Sequence, residues 1–190
     1  LFVCGNNTDL ETLTFLKTLS QKLNILLISE EFRDVNNDLM PSVKSNVIFS
    51  DILNSDLCLT VGTNVRFEAS LLNVRLKKRI KRGNFIKVSI GLNENCTYLN
   101  DSIGNSIKTL FTIAEGKHSF CQKLVKAKKP FIILGSSVKK RLDSSSMTSL
   151  LTELSKYSRV IDENWFGINL LPITANEVGA FLVGEIGRAS

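Results

Sequence analysis

A buried strand, a glycine turn and a long helix follow one another between residues 57 and 82, and this order restricts the folds open to the chain. The run Leu57–Val61 is uninterrupted and apolar, which is typical of a strand covered on both faces of a parallel sheet. Gly62-Thr63-Asn64 then turns the chain, and a helical pattern extends from about Arg66 to Arg82. Parallel strands need helical crossovers of this kind, so the segment predicts an α/β protein.

The same alternation of strands and helices extends along most of the 190 residues. Strands are predicted over 1–4, 25–28, 86–90 and 131–134, and helices over 106–114, 119–128, 144–157 and 174–183. Another helix is predicted to begin at Thr8, which has capping-box spacing to Glu11, and to end at Asn24. Residues 30–55 are polar and irregular and form a long connection, and residues 91–105 form a loop. We expect one domain over residues 1–190, a parallel sheet with helices on both faces.

Composition excludes several classes of site. No apolar run reaches the roughly 18 residues that a membrane helix needs, so no direct membrane span is expected. The four cysteines are 54, 38 and 25 residues apart and His118 is the single histidine, a pattern without metal-ligand spacing. Glu11, Glu68 and Glu153 are isolated carboxylates on helices. The sequence therefore predicts neither catalytic nor metal-binding residues.

The strongest charge run closes the helix that begins after Asn64. It contains Lys77, Lys78, Arg79, Lys81 and Arg82. Cations at this position are favoured by the exposed carbonyl groups of a helix C-terminus, which is the structural interpretation. The functional interpretation is docking to an acidic partner, and these five residues are the candidates for it. No aromatic stacking set accompanies them, so nucleic acid is not expected as a partner, although the net charge of +6 does not itself choose among partners.

Two turns follow apolar strands and could bind a ligand. They are Gly62-Thr63-Asn64 and Gly135-Ser136-Ser137. Ligands of open parallel sheets collect at the carboxyl ends of the strands, where free backbone N–H groups favour anions. Neither turn matches a dinucleotide fingerprint or a P-loop. The residues alone leave a ligand site and a structural turn as open alternatives.

The helix after Asn64 has two apolar stripes where a helix on a sheet needs one. At 100° per residue, Phe67, Leu71 and Val74 fall on one side. Four residues fall on nearly the opposite side: Ala69, Leu72, Leu76 and Ile80. We expect the helix to lie between the sheet and a second covering element, either of this domain or of a neighbouring subunit.

The residues around the first turn also resemble a known family. Val61-Gly62-Thr63-Asn64, Arg66-Phe67-Glu68-Ala69, Leu72-Asn73 and Arg75 are similar to a stretch of the large iron–sulfur subunit of NADH:ubiquinone oxidoreductase, respiratory complex I. The similarity lies in the molybdopterin-oxidoreductase-like C-terminal half of that subunit. It continues in order along the chain, through Tyr98, Gly104 and His118, to a segment with Trp165 that matches a helix of the family.

The resemblance implies a molybdopterin-oxidoreductase-like (formate dehydrogenase-like) fold, with the C-terminal part of the family's domain outside this chain. It implies a non-catalytic structural subunit, or a fragment of one, in the hydrophilic arm of complex I. Gly62, Thr63 and Asn64 would be a vestige of a pterin-binding turn, and this chain would hold no cofactor. The iron–sulfur clusters would belong to the N-terminal region of the family, which would be its main partner together with other complex I subunits.

The resemblance also implies a place and leaves two alternatives. The place is the mitochondrial inner membrane, peripherally on the matrix side. No autonomous active site is expected, although the chain would be part of an enzyme complex that oxidises NADH and reduces ubiquinone. One alternative is a catalytic fragment of a molybdopterin oxidoreductase that uses Gly62, Thr63 and Asn64. The other is a basic RNA- or lipid-binding module that uses Lys77 to Arg82.

Overall fold

The chain forms two compact units in a computed structural model, which describes residues 1–5, 7–29, 51–91, 95–139, 141–172, 174 and 176–183. Leu1–Val35 and Pro172–Ser190 form one unit, and Asn36–Leu171 forms the other. Most of the predicted connection over 30–55 lies outside the described residues, and Asp51–Asn54 is a 3₁₀ turn. The single domain expected over 1–190 stays a prediction.

The smaller unit is a strand–helix–strand motif with a second helix against it. Strand β1 (Phe2–Cys4) leads into helix α1 (Leu10–Leu23), and β2 (Leu27–Ser29) returns parallel to β1. The predicted end at Asn24 is confirmed, with a left-handed φ of 52°. The predicted cap at Thr8 is wrong. The Asp9 carboxylate caps α1 by accepting the Thr12 backbone N–H at 3.0 Å, so the cap lies one residue later than the spacing of Thr8 and Glu11 suggested.

The larger unit is built on a parallel sheet. Its strands are β3 (Leu57–Val61), β4 (Ile86–Ile90), β5 (Asp101–Gly104), β6 (Pro130–Leu134), the short antiparallel pair β7 (Ile161–Asp162) and β8 (Trp165–Phe166), and β9 (Ile168–Leu170). The sheet order is β5-β4-β3-β6-β9, and every neighbouring pair in it is parallel. All five side chains of β3 and of β6 are buried, as their apolar sequences predicted.

Helices cover both faces of this sheet, which confirms the predicted fold class. They are α2 (Val65–Glu68), α3 (Ser70–Lys81), α4 (Ile107–Ala114), α5 (Phe120–Lys126), α6 (Ser136–Lys139) and α7 (Ser144–Lys156); α8 (Glu177–Val183) belongs to the smaller unit. One core contains Leu59 with Leu110 of α4 and Leu151 of α7. The opposite core contains Leu72 and Leu76 of α3. Alternate residues of β3 and of β6 therefore pack against helices on different faces of the sheet.

Two local predictions along the larger unit are wrong. The helix predicted from Arg66 to Arg82 is broken at Ala69, whose φ of −147° and ψ of 68° separate α2 from α3. The break allows Val65 in α2 and Leu72 in α3 both to be buried against the sheet. The loop predicted over 91–105 contains β5, an edge strand whose Asp101 and Ser102 are exposed and gave no apolar signal.

The segment with Trp165 is also a strand and not the helix that the resemblance implied. The indole N–H of Trp165 donates to the carbonyl oxygen of Pro130 at 2.7 Å, within a largely buried environment. Gly167 lies against the same oxygen, and a Cβ there would be 2.4 Å from it. This close packing holds the residues extended beside β6.

Candidate functional site

A cleft lies where the strand order of the sheet reverses. From β3 the chain proceeds outward through β4 and β5, whereas from β6 it proceeds to β9 on the other side. Crevices at the carboxyl ends of such neighbouring strands are the usual ligand sites of open α/β sheets. A cavity of about 540 Å³ is present here, lined by residues that include Gly62, Asn64, Ser137 and Arg141.

The structure brings the two predicted turns into direct contact in this cleft. The backbone N–H of Gly135 donates to the Val61 carbonyl at 2.9 Å, and the Ser137 hydroxyl donates to the Gly62 carbonyl. Gly62 has a φ of +59°, which favours glycine. A Cβ on Gly135 would be 2.2 Å from the Gly62 oxygen and 2.4 Å from the Thr63 Cβ. The turns therefore pack backbone against backbone, without room for a side chain between them.

The Glu68 side chain joins the two turns. Its Oε1 accepts the backbone N–H of Asn64 at 3.0 Å. Its Oε2 accepts both the backbone N–H and the hydroxyl of Ser136, at 3.1 and 3.0 Å. One carboxylate thus uses an N–H group from each of the turns that could otherwise hold an anion.

Of the two other polar side chains in the first turn, one accepts a hydrogen bond and the other makes none among the described residues. The Asn64 side chain caps α2 by accepting the Arg66 backbone N–H at 3.2 Å. The Thr63 hydroxyl is buried at the cleft wall and has no hydrogen-bond partner among the described residues. A buried hydroxyl of this kind needs a small polar partner, for which a water molecule is sufficient.

The positive charge at the cleft is already paired. Arg141 donates to Asp143 through two hydrogen bonds, of 2.7 and 2.8 Å. The hydrogen bond from Arg141 holds the pKa of the Asp143 carboxyl below its ordinary value, and the same partner raises the pKa of the Arg141 guanidinium. Glu68 is the other charged residue that lines the cleft among those described. The described lining does not fit a pyrophosphate group, which carries negative charge of its own.

The five predicted docking residues lie at the C-terminal end of α3, and one of them is less exposed than the other four. Lys77, Lys78, Lys81 and Arg82 are exposed. Arg79 is partly buried: its guanidinium donates to the carbonyl oxygens of Ser55, Gly83 and Asn84 at 2.6, 2.7 and 3.2 Å. It also lies over the Phe85 ring, at 5.1 Å from its centroid. Arg79 therefore fixes the end of the helix, which is the structural interpretation of the basic run.

One of the two predicted stripes stays exposed. The stripe with Leu72 and Leu76 is packed on the sheet. Phe67, Leu71 and Val74 are 76%, 75% and 50% exposed. Leu71 and Val74 are about one turn apart on α3, and exposed apolar side chains grouped on a surface are typical of one that is covered in an assembly.

Other candidate residues have structural roles or form no site. The Nδ1 atom of His118 accepts the Phe120 backbone N–H at 3.1 Å, at the start of α5. No group of three His, Cys, Asp or Glu residues comes together within the described ranges. Among the helices of those same ranges, none has both the length and the apolar character needed to cross a bilayer.

The sequence did not predict that Glu68 joins the two turns. The spacing Asn64…Glu68 was a partial signal, because a carboxylate one turn after a helix cap can reach back to the capping residue. The second half of the contact is with Ser136, which is 68 residues away. Only the pairing of β3 with β6 brings these positions together.

Together, the parallel sheet with helices on both faces and the cleft at its switch point define an open, doubly covered α/β domain. The model of the molybdopterin oxidoreductase family matches residues 1–189. The chain therefore belongs to this family.

Several named proteins are similar to this chain over most of its length. It is 40% identical to the NADH-ubiquinone oxidoreductase 75 kDa subunit of Reclinomonas americana, over 96% of this chain and 28% of the relative. It is 35% identical to the mitochondrial NADH-ubiquinone oxidoreductase 78 kDa subunit of Candida albicans, over 96% of this chain and 26% of that protein. Identity to the mitochondrial NADH dehydrogenase [ubiquinone] iron-sulfur protein 1 of Solanum tuberosum is 32%, over 97% and 25% respectively. The chain thus spans about a quarter of the length of these relatives.

Proposed function

We propose that this chain is a structural domain of the hydrophilic arm of respiratory complex I, where it supports electron transfer from NADH to ubiquinone without redox centres of its own. The observation that carries the proposal is the similarity to named NADH-ubiquinone oxidoreductase subunits over 96% of the chain. Its place would be the matrix side of the mitochondrial inner membrane, held there by partner subunits. Two of the relatives have mitochondrial in their names, which supports the organelle.

The exposed side of α2 and α3 would be the docking surface, defined here as the α3 face: Phe67, Leu71, Val74, Lys77, Lys78, Lys81 and Arg82. Leu71, Val74 and Lys78 are spaced i, i+3 and i+7 and so lie along one side of α3. The face is apolar toward the start of the helix and cationic at its end. The occupant with complementary chemistry is an acidic surface of another complex I subunit, or of the cluster-bearing part of the large iron–sulfur subunit, with apolar side chains beside its carboxylates.

The proposal is tested by the assembly of the full chain in its own cells. A tagged chain is expected to co-migrate on native gels with a very large complex that oxidises NADH. Leu71→Asp places a charge in the centre of the α3 face and should reduce the co-migrating fraction several-fold. Lys78→Glu should act in the same direction, with an effect that weakens as ionic strength rises.

Matched controls separate docking from general surface effects. Leu142 is 90% exposed and is not part of the α3 face, so Leu142→Asp controls for Leu71→Asp. Lys126 is exposed on α5 and Lys126→Glu controls for Lys78→Glu. Migration of the unaltered chain as a free monomer would overturn the proposed function. Equal losses in the test and control variants would overturn the assignment of the α3 face alone.

The named relatives favour neither alternative function. The three relatives are named as NADH-ubiquinone oxidoreductase subunits or as an NADH dehydrogenase iron-sulfur protein, and none of these names refers to nucleic acid or lipid. The basic run that suggested an RNA- or lipid-binding module includes Arg79, whose hydrogen bonds hold the helix end. A catalytic fragment using Gly62, Thr63 and Asn64 would need the backbone donors that Glu68 occupies.

A further inference from the structure

We propose that the Glu68 carboxylate acts as a built-in anion, which holds the two cleft turns together and excludes phosphate-bearing ligands from the switch point. Glu68 is a positioning residue in this proposal, and it touches no reacting atoms. The inference concerns the folded chain by itself and does not depend on membership in complex I.

The geometry of the contacts carries the first step. Backbone N–H groups at the carboxyl ends of parallel strands are suited to phosphate oxygens because they are fixed donors. Here the Asn64 and Ser136 N–H groups, one from each turn, converge on the two oxygens of a single carboxylate at 3.0 and 3.1 Å. The Ser136 hydroxyl adds a further donor at 3.0 Å. The carboxylate thus receives the contacts that an anionic ligand would need.

Charge carries the second step. A phosphate that approached these donors would meet the negative charge of Glu68. The Arg141 guanidinium, which could otherwise compensate, is held by Asp143 through two hydrogen bonds. Within the described lining, the cleft therefore offers an approaching anion repulsion without a free cation.

The Thr63 hydroxyl is a further hydrogen-bonding group of the cleft, beside the donors that removal of Glu68 would leave without an acceptor. It lies in the cleft wall and lacks a hydrogen-bond partner among the described residues. If the carboxylate is removed, the Asn64 and Ser136 N–H groups lose their acceptor. These two donors, the Ser136 hydroxyl and the Thr63 hydroxyl would then be available to an added anion.

The experiment compares the full chain with Glu68→Ala, using inorganic pyrophosphate as the probe and sodium chloride at matched ionic strength as its reference. Without pyrophosphate, Glu68→Ala should lower the melting temperature by roughly 3–6 °C, because three charge-assisted hydrogen bonds are lost. Pyrophosphate should restore part of this loss. The unaltered chain should respond to pyrophosphate and to sodium chloride equally.

Two further variants make the result decisive. Glu153→Ala removes an exposed carboxylate whose partner is Lys156 on the same helix, and it should gain no stability from pyrophosphate. Glu68→Gln keeps the shape without the charge and should speed hydrogen exchange at the Asn64 and Ser136 amides, a readout that remains if Glu68→Ala does not fold. Stabilisation of the unaltered chain by pyrophosphate would overturn the proposal. Unchanged melting of Glu68→Ala, or unchanged exchange in Glu68→Gln, would overturn it equally.

Discussion

Single residues set the shape of the cleft, through contacts between segments that are far apart in the sequence. Gly62 and Gly135 were identifiable as turn residues, since each follows an apolar run. That they meet each other depends on the register of β3 with β6, in which Val61 lies opposite Leu134. The hydroxyl of Ser137 and the carboxylate of Glu68 are informative only after that register is known.

At this scale, Gly135→Ala should be among the most destabilising small substitutions in the chain. The added Cβ would be 2.2 Å from the Gly62 oxygen, and both turns would have to separate. The free energy of unfolding should fall by about 3 kcal/mol or more, measured by denaturant titration.

Gly5→Ala is the matched control for this substitution. Its Cβ would meet no atom within 4 Å, so a change within about 1 kcal/mol is expected. Equal stabilities of the two variants would contradict the tight packing of the turns.

Lys87 illustrates a different limit of sequence reasoning. It occupies the second position of the apolar strand β4, and a lysine is ordinarily exposed, yet only 4% of this one is. Its ammonium group donates to the Asn100 side chain at 2.9 Å and to the Thr60 hydroxyl at 3.3 Å. Polar networks of this kind need partners from distant segments, and single-sequence patterns do not contain that information.

Among the elements, long apolar strands and helices with a clear start or end were predictable, whereas short and edge elements were not. β3, β4 and β6 and helices α4 and α7 lie where apolar periodicity placed them. β5 and β8 were missed because an edge strand and a two-residue strand carry too few buried side chains to create a period. The break at Ala69 was missed because both apolar stripes continue across it.

The cap of α1 gives a pH-dependent prediction at the scale of one element. Backbone and side-chain hydrogen bonds from Thr12 hold the pKa of the Asp9 carboxyl below its ordinary value of 3.8. Because the pKa of this carboxyl is lower in the folded chain than in the unfolded chain, the carboxylate stabilises the helix start at pH values above the unfolded-state pKa. This contribution is lost as the pH falls through the folded pKa.

Asp9→Ala should therefore speed exchange of the Thr12 amide at neutral pH. The difference from the unaltered chain should close as the pH falls below about 3.8. Hydrogen exchange measured along a pH series tests this, with the exposed Glu163→Ala as a control that should leave Thr12 unchanged. A difference that persists at acid pH would show that the charge of Asp9 is not what caps α1.

For the molecule as a whole, the sequence predicted the fold and the family, but only part of the α3 face. The matching family and the cleft at the switch point agree with the parallel α/β prediction. The apolar stripe with Leu71 and Val74 was recognised, and its exposure emerged from the structure.

Metal and pterin analysis of the assembled protein tests the whole-molecule proposal. Because the cleft donors are used by Glu68, molybdenum and pterin should be far below one equivalent per chain in the purified complex. Plasma mass spectrometry and pterin fluorescence measure both. One molybdenum per chain would favour the catalytic alternative.

The position of Arg79 has a practical consequence for anyone who maps the basic run by charge reversal. Lys78 and its cationic neighbours Lys77, Lys81 and Arg82 are exposed, whereas Arg79 donates to three carbonyl oxygens near the start of β4. A scan that treats all five cations alike would record a misfolded subunit as a failed interaction. The informative scan omits Arg79 or accompanies it with a measurement of folding.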